Sequence, residues 1–168
     1  LVQQALAEFG RIDILVNNAG GAFSPVERSA ASKFTDEDMA QMFGVNYHSA
    51  VLCCQEVAPT MRAQQSGVIV NVATMVALDA AKSGANLTPY SVAKAAVLHY
   101  TRHLASELGP DGIRVNCLSP GGMLTQRIRK QSEGRNMHTE KEMRRIPLRR
   151  FGDVEDCANV LEFLATPL

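Results

Sequence analysis

Apolar residues along this chain gather into short runs of strand length, set between longer stretches with helical spacing. Ile12 to Val16 is the first run and stops at polar Asn17; Val68 to Val72 and Ile113 to Leu118 are the others. Runs of this length and density predict strands covered on both faces, as in a parallel sheet. Ahead of the first run, Leu1, Ala5, Leu6 and Phe9 give the apolar face of a helix that stops at Gly10. Gly20, Gly21 and Pro25 then mark a loop. Thr35 is a good N-cap, with Glu37 and Asp38 in the first turn, where the helix dipole favours anions. The spacing of Met39, Met42, Phe43, Tyr47, Ala50, Cys54 and Val57 carries that helix to the neighbourhood of Arg62. Residues 75–88 form a loop rich in small side chains, and Thr88-Pro89 reads as a cap followed by proline at the first helical position. The helix opened there ends at Gly109-Pro110. Residues 121–150 read as a flexible excursion, and Asp153 caps a last helix through Leu164. Helices alternating with apolar strands predict an α/β domain built on a parallel sheet.

Composition narrows the function classes. With 168 residues and 46% hydrophobic side chains, the chain has one domain's worth of core. Seventeen acidic and seventeen basic residues cancel, so no overall field directs it to nucleic acid or membrane. No apolar stretch approaches the roughly 20 residues of a membrane span. Nothing near Leu1 reads as a signal sequence, so a cytoplasmic protein is expected. Cys53, Cys54, Cys117 and Cys157 lack metal-ligand spacing and read as reduced, mostly buried thiols. Charge is uneven over residues 127–150, which hold nine of the seventeen basic side chains against three acidic ones. One reading of this segment is a solvated flap; the other is a lid that attracts an anionic substrate or cofactor phosphates. Aromatic residues do not interleave there, as a base-stacking surface would require.

The candidate chemistry centres on Tyr90 and Lys94, four residues apart at the start of a helix. With Tyr90 at zero on a helical wheel, Lys94 falls near about 40°, Val97 about 340°, Thr101 about 20° and Leu108 about 0°, one inward stripe. A phenol with a pKa of about 10 is a poor acid–base group at neutral pH. An ammonium one turn away lowers that pKa by favouring the phenolate. A tyrosine tuned this way can give a proton to a carbonyl oxygen or take one from an alcohol. Upstream, Asn17-Asn18-Ala19-Gly20 ends a strand at its carboxyl edge, where open α/β sheets bind ligands. Asn46 sits mid-helix, where asparagine competes for backbone hydrogen bonds. Pro120-Gly121, with Thr125 beyond, ends the third strand. His99 and His103 have the spacing of a metal pair but fall on the side of the wheel away from Tyr90, and read as a surface or subunit contact.

Asn-Asn-Ala-Gly after a strand, an asparagine in the next helix, Tyr-x-x-x-Lys, and Pro-Gly-x-x-x-Thr, in that order, resemble the short-chain dehydrogenase/reductase family. The resemblance runs from Arg11 to Leu164. It implies a Rossmann-type fold, a doubly wound parallel sheet in three α/β/α layers. It implies an NAD- or NADP-dependent enzyme that interconverts a small-molecule carbonyl and a secondary alcohol by hydride transfer. Catalytic roles would fall to Asn46, Thr74, Tyr90 and Lys94. Cofactor contacts would come from Asn17, Ala19, Gly20, Tyr90, Lys94, Pro120, Gly121, Met123 and Thr125, with no metal. Lys94 would hydrogen-bond the nicotinamide ribose, Asn46 would hold a water joining that lysine to solvent, and residues 121–150 would form the substrate lid. A homodimer or homotetramer is the implied assembly.

The sequence departs from the family's pattern at one catalytic position. Thr74 stands where a serine is usual, and its spacing to Tyr90 is longer than typical, as though Asp79 to Ser83 carried an insertion. Threonine keeps the hydroxyl donor and adds a methyl group that narrows the pocket. Ser83 and Ser91 are the other nearby hydroxyls: Ser83 falls in the loop away from the strand end, and Ser91 about 100° round the helix from Tyr90. The chain opens at Leu1 without a Gly-x-x-x-Gly-x-Gly. The resemblance therefore implies a preceding βαβαβ half of about 80 residues carrying the glycine-rich loop and the residue that selects NAD or NADP, and a final strand after Ala165. An alternative reading is a non-catalytic dinucleotide-fold scaffold or sensor, favoured by Thr74 and disfavoured by the intact Asn46, Tyr90 and Lys94. An unrelated Rossmann-like protein such as a methyltransferase would leave the tyrosine–lysine pair without a purpose.

Overall fold

Three strands form the parallel sheet that the alternation predicts: β1 (Ile14–Asn17), β2 (Gly67–Val72) and β3 (Ile113–Leu118), in that order. The structure is a computed structural model and describes residues 1–79, 86–126 and 143–166. Ile14 lies opposite Val68 and Val16 opposite Val70, while Gly67 lies opposite Ile113 and Val72 opposite Leu118. The helices are α1 (Val2–Phe9), α2 (Asp36–Phe43), α3 (Ser49–Gln64), α4 (Thr88–Leu108) and α5 (Val154–Ala165). Helices α1, α3 and α4 cover one face, where Val2, Val57, Met61, Ile69, Leu104, Leu108 and Ile113 make the core. Helix α5 lies over β2 and β3 on the other face. Arg114 of β3 holds it there by donating to the carbonyls of Leu164 and Thr166 at 2.8 and 2.9 Å. Helices on both faces of a parallel sheet make this a Rossmann-type α/β/α arrangement.

Several elements differ from the sequence expectation. The first strand starts at Ile14 rather than Ile12; just before it the Asp13 side chain pairs with Arg11 at 3.0 Å while its carbonyl accepts from the Val68 amide at 2.9 Å. That strand is not covered on both faces: Leu15 and Asn17 turn inward, but Ile14 and Val16 are 48% and 40% exposed. Their neighbours Val68 and Val70 lie under α5, which leaves this side of β1 open. In α1 the inward residues are Val2 and Leu6, and Leu1 and Phe9 are exposed instead of forming the apolar face. Thr88 is the first residue of α4 and not its cap, because Leu87 takes the left-handed conformation (φ 69°) and the Thr88 amide donates to the Ser29 carbonyl at 2.9 Å. The loop after β2 contains a 3₁₀ turn at Met75–Ala77. All four cysteines are free, but only Cys54 is fully buried, since Cys53, Cys117 and Cys157 lie at the edges of the packed layers. Ser83, and residues 127–142 of the 121–150 excursion, lie outside the described residues. The two ends of that excursion meet: Gly152 donates to the Gly122 carbonyl at 3.0 Å and accepts from Leu124 at 2.8 Å. No helix among the described residues is long and apolar enough to cross a membrane.

The helix capped by Thr35 is the element that bears most on function. Its capping box forms as the sequence predicts, with the Asp38 amide on Thr35 Oγ1 at 3.2 Å and the Thr35 amide on Asp38 Oδ2 at 3.1 Å. It is not one continuous helix, because a π turn at Gly44–His48 separates α2 from α3. Asn46 sits in that turn, and its Nδ2 donates back to the Met42 carbonyl at 3.0 Å. A side chain that bonds one turn back competes with the helical ladder, and the wider turn accommodates it. The same carboxamide donates to the Gly21 carbonyl at 3.0 Å and accepts from the Gly21 amide at 2.9 Å. It thereby binds the loop after β1 to the helix. A second tie comes from Asp38, 2% exposed, which takes Arg28 Nε and Nη2 at 2.9 Å each.

Two predictions follow from these ties. The Arg28 guanidinium and the Thr35 amide lower the Asp38 carboxyl from its ordinary 3.8 to about 2. A carboxyl that ionises more readily in the fold than in the unfolded chain stabilises the fold above a pH of about 4 and loses that effect as pH falls toward 2. Asp38→Asn is therefore expected to lower the urea midpoint at neutral pH and to flatten the loss of stability in that acid window; parallel curves for parent and variant would contradict this. Gly20 has φ 141°, and a Cβ there would lie 2.4 Å from Asn46 Oδ1. Gly20→Ala should cost about 1–3 kcal/mol in denaturant unfolding from crowding, besides backbone strain. Combined with Asn46→Ala, the loss should be less than the sum of the two singles.

Candidate active site

The strand end, the π turn and α4 meet at Gly20. A Cβ built there would lie 2.4 Å from Asn46 Oδ1 and 3.3 Å from Lys94 Nζ, so three separated motifs converge on one bare Cα. Lys94 is 4% exposed, and its Nζ donates to the Val72 carbonyl at the end of β2 at 2.7 Å. Burial lowers its pKa, opposed by the nearby Cys117. An ammonium has three donors, and the other two find no partner among the described residues. Tyr90 lies half-buried one turn earlier, on the stripe whose Lys94, Val97, Thr101 and Leu108 are buried. The wheel therefore places the pair correctly, at the carboxyl edge of the sheet.

Asn17 turns its side chain into the protein. Its Nδ2 donates to Asn71 Oδ1 at 2.8 Å and to Cys54 Sγ at 3.2 Å, within the protein. Asn71 Nδ2 donates in turn to Thr101 Oγ1 at 3.0 Å, and Thr101 Oγ1 to the Val97 carbonyl at 2.7 Å. This chain of groups crosses from β1 through β2 to α4 and fixes the strand end relative to the helix that carries Lys94. Burial in it pushes the Cys54 thiol up to about 11, so the thiol packs as a neutral group. Sequence reasoning did not single out Asn71. The available signal was one amide inside the apolar run Val68 to Val72, because a polar residue there must find a partner. Asn18 and Ala19 are exposed beyond the strand end.

Thr74 lies just past β2 in extended conformation, and its hydroxyl makes no hydrogen bond among the described residues. It lines a cavity of about 260 Å³ together with Met75, Gly121, Gly122, Arg145, Ile146 and Phe151. Ser91 is committed differently, its Oγ donating to the Val76 carbonyl at 2.8 Å. Met75 donates its amide to the Pro120 carbonyl at 2.9 Å, holding the ends of β2 and β3 together on this side. Met123 packs against Gly152 and lies 3.8 Å from Cys157 Sγ, and Thr125 follows half-buried. His99 and His103 stand away from the cavity, exposed, with Nε2 atoms 3.2 Å apart. Among the described residues no third side chain joins them as a metal ligand.

The chain is similar to known proteins along its whole length. The family described as enoyl-(acyl carrier protein) reductase matches residues 1–168. Cyclohexanol dehydrogenase of Rhodococcus sp. (strain TK6) is 38% identical over 167 residues, which cover 99% of this chain and 61% of that protein. The (2S)-[(R)-hydroxy(phenyl)methyl]succinyl-CoA dehydrogenase subunit BbsD of Thauera aromatica is 41% identical over 166 residues, 98% and 62% of the two chains. Among solved structures, ElxO with NADP bound superposes with a TM-score of 0.88 at 25% identity, covering 98% of this chain and 64% of the other. NAD+-bound xylitol dehydrogenase gives 0.85 at 27% identity, covering 99% and 66%. The chain spans about three-fifths of the length of the curated relatives it matches. With its ordered motifs, its parallel sheet and a match along its whole length, the chain belongs to the short-chain dehydrogenase/reductase family.

Proposed function

We propose that the complete protein is an NAD- or NADP-dependent oxidoreductase that interconverts a small-molecule carbonyl and a secondary alcohol, with Tyr90 as general acid and base. The observation that carries this reading is the meeting of Gly20, Asn46 and Lys94 at one point, one helical turn from Tyr90. Lys94 is buried without an acidic partner among the described residues, so its charge acts on Tyr90 more strongly than it would in water. That field favours the phenolate and brings the phenol toward neutral pH. Thr74 donates its unshared hydroxyl to the substrate oxygen, and Tyr90 gives that oxygen a proton in reduction or takes one in oxidation.

When bound, a nicotinamide ring supplies or accepts the hydride. The residues suit such a group: Gly20 offers a bare Cα at positive φ, and Lys94 has two N–H donors to spare for ribose hydroxyls. Ala19, Pro120, Gly121, Met123 and Thr125 complete the cradle along the strand ends, and Asn17 positions it from within the core network. Asn46 has both N–H donors engaged, which leaves one lone pair on Oδ1 for a water beside Lys94. Relatives named for bound NADP and NAD+ support this cofactor class. Residues 121–150 serve as the substrate lid, a reading supported by the Gly152 amide donating to the Gly122 carbonyl at 3.0 Å beside the cavity. The assembly is a cytoplasmic homodimer or homotetramer, a reading supported by Leu52 and Val92, apolar yet 60% and 42% exposed on α3 and α4.

Tyr90→Phe in the protein as its gene encodes it should cut turnover by about 10²–10⁴-fold while cofactor binding survives; turnover within a factor of about two of the parent would rule out Tyr90 as the proton carrier. A non-catalytic sensor would bind cofactor and show no Tyr90-dependent turnover with any carbonyl. Thr74→Ser should keep activity, whereas Thr74→Val, equal in shape but without the donor, should lose about 10-fold or more. Steady-state kinetics in which valine matches threonine would move the donor role elsewhere.

A further inference from the structure

Most arginines of the described chain are engaged. Arg28 holds Asp38, Arg62 holds Glu107 and Asp111, Arg150 holds Asp156, Arg114 grips two carbonyls, and Arg149 donates to the Arg144 carbonyl. Arg145 has no ion pair or hydrogen bond among the described residues, and it lines the cavity that Thr74 opens onto. Residues 143–151 contain four arginines and no acid, so nothing in that segment offsets its charge. The other walls are the side chains of Met75, Ile146 and Phe151 and the bare backbone of Gly121. The space, about 260 Å³, sits below the usual range of about 300–1,000 Å³ for ligand pockets, so what enters is compact.

We propose that this cavity selects a compact ketone or secondary alcohol bearing a carboxylate, which pairs with Arg145 while the ring or branched carbon body packs on Met75, Ile146 and Phe151. This rests on the reading of Thr74 as the hydroxyl at the reacting oxygen. The recognition follows from the shape of the groups. A guanidinium presents a planar fork that matches a carboxylate at two points, and it cannot discharge at neutral pH. With no partner among the described residues, it shows no competing ion pair there that the substrate must displace. The apolar side chains accept the carbon body but offer the carboxylate nothing, and Arg145 is the one charged side chain among the described lining residues, so the anion is directed to Arg145 and the carbonyl to Thr74. Arg145 is thus a specificity residue, distinct from the proton chemistry of Tyr90.

The test uses a matched pair of ketones, cyclohexanone and 4-oxocyclohexanecarboxylate, with the protein as its gene encodes it. The parent should prefer the acid in kcat/KM. Arg145→Ala should reduce the acid-to-neutral ratio about 10-fold or more, through KM for the acid, with Arg145→Lys recovering part of it. Added salt should narrow the ratio in the parent and leave it nearly flat in Arg145→Ala. An unchanged ratio in Arg145→Ala would overturn the proposal, as would a loss that appears in the KM of the cofactor, which would assign Arg145 to its phosphates. Calorimetric titration with cyclohexanecarboxylate, which has no carbonyl to reduce, reads the pairing without turnover. Weaker binding to Arg145→Ala supports the assignment even if neither ketone is turned over, an outcome that would count against the oxidoreductase reading alone. Equal affinity for parent and variant overturns the assignment.

Discussion

One carboxamide holds the site together. Asn46 closes on both backbone groups of Gly21 and on the Met42 carbonyl, so its donors are spent and one acceptor position is left. These bonds join the loop after the first strand to the π turn between α2 and α3. They also set the distance at which Gly20 passes Lys94. A side chain at Gly20 could not coexist with Asn46 in this position, and the site depends on that close approach. The π turn is the local cost of the arrangement: the helix gives up regular hydrogen bonding where the asparagine turns to the loop.

A second set of polar groups lies deeper and serves the same end. Asn17, Asn71 and Thr101 sit between strands and helix in surroundings that would penalise any unpaired donor. Each finds its partner on a different element, so the network is satisfied only when β1, β2 and α4 are in register. An apolar replacement could fill the space equally well but would not distinguish one register from the next. Lys94 gains from this fixed frame, since its bond to the Val72 carbonyl is made from a helix that cannot slide along the sheet.

The chemistry at the edge of the sheet is a matter of what is left unpaired. Ser91, Asn17 and Asn46 spend their donors inside the protein. Thr74, Lys94 and Arg145 keep donors available, and they lie at or beside the ends of β2 and β3. A hydroxyl, an ammonium and a guanidinium with donors unshared among the described residues are the groups that can act on something that arrives. Thr74, with its hydroxyl unshared among the described residues, borders the cavity.

The sequence alone determined the alternation of strands and helices, the capping by Thr35 and Asp153, and the inward stripe shared by Tyr90 and Lys94. All of these rest on local periodicity or on side chains that bond within a turn. It also determined the family, because the ordered motifs can be read without coordinates. What it could not determine was which side of β1 is covered by the described residues, since Ile14 and Val16 look as apolar as Val68 and Val70 and differ only in having no described helix above them. The bonds that Asn46 makes from the π turn were equally hidden, because two of them go to a glycine amide and carbonyl twenty-five residues away. The inward turn of Asn17 and the lack of a partner for Arg145 among the described residues follow the same rule. A donor's function is set by which acceptors the fold brings within about 3 Å, and only the tertiary structure supplies those.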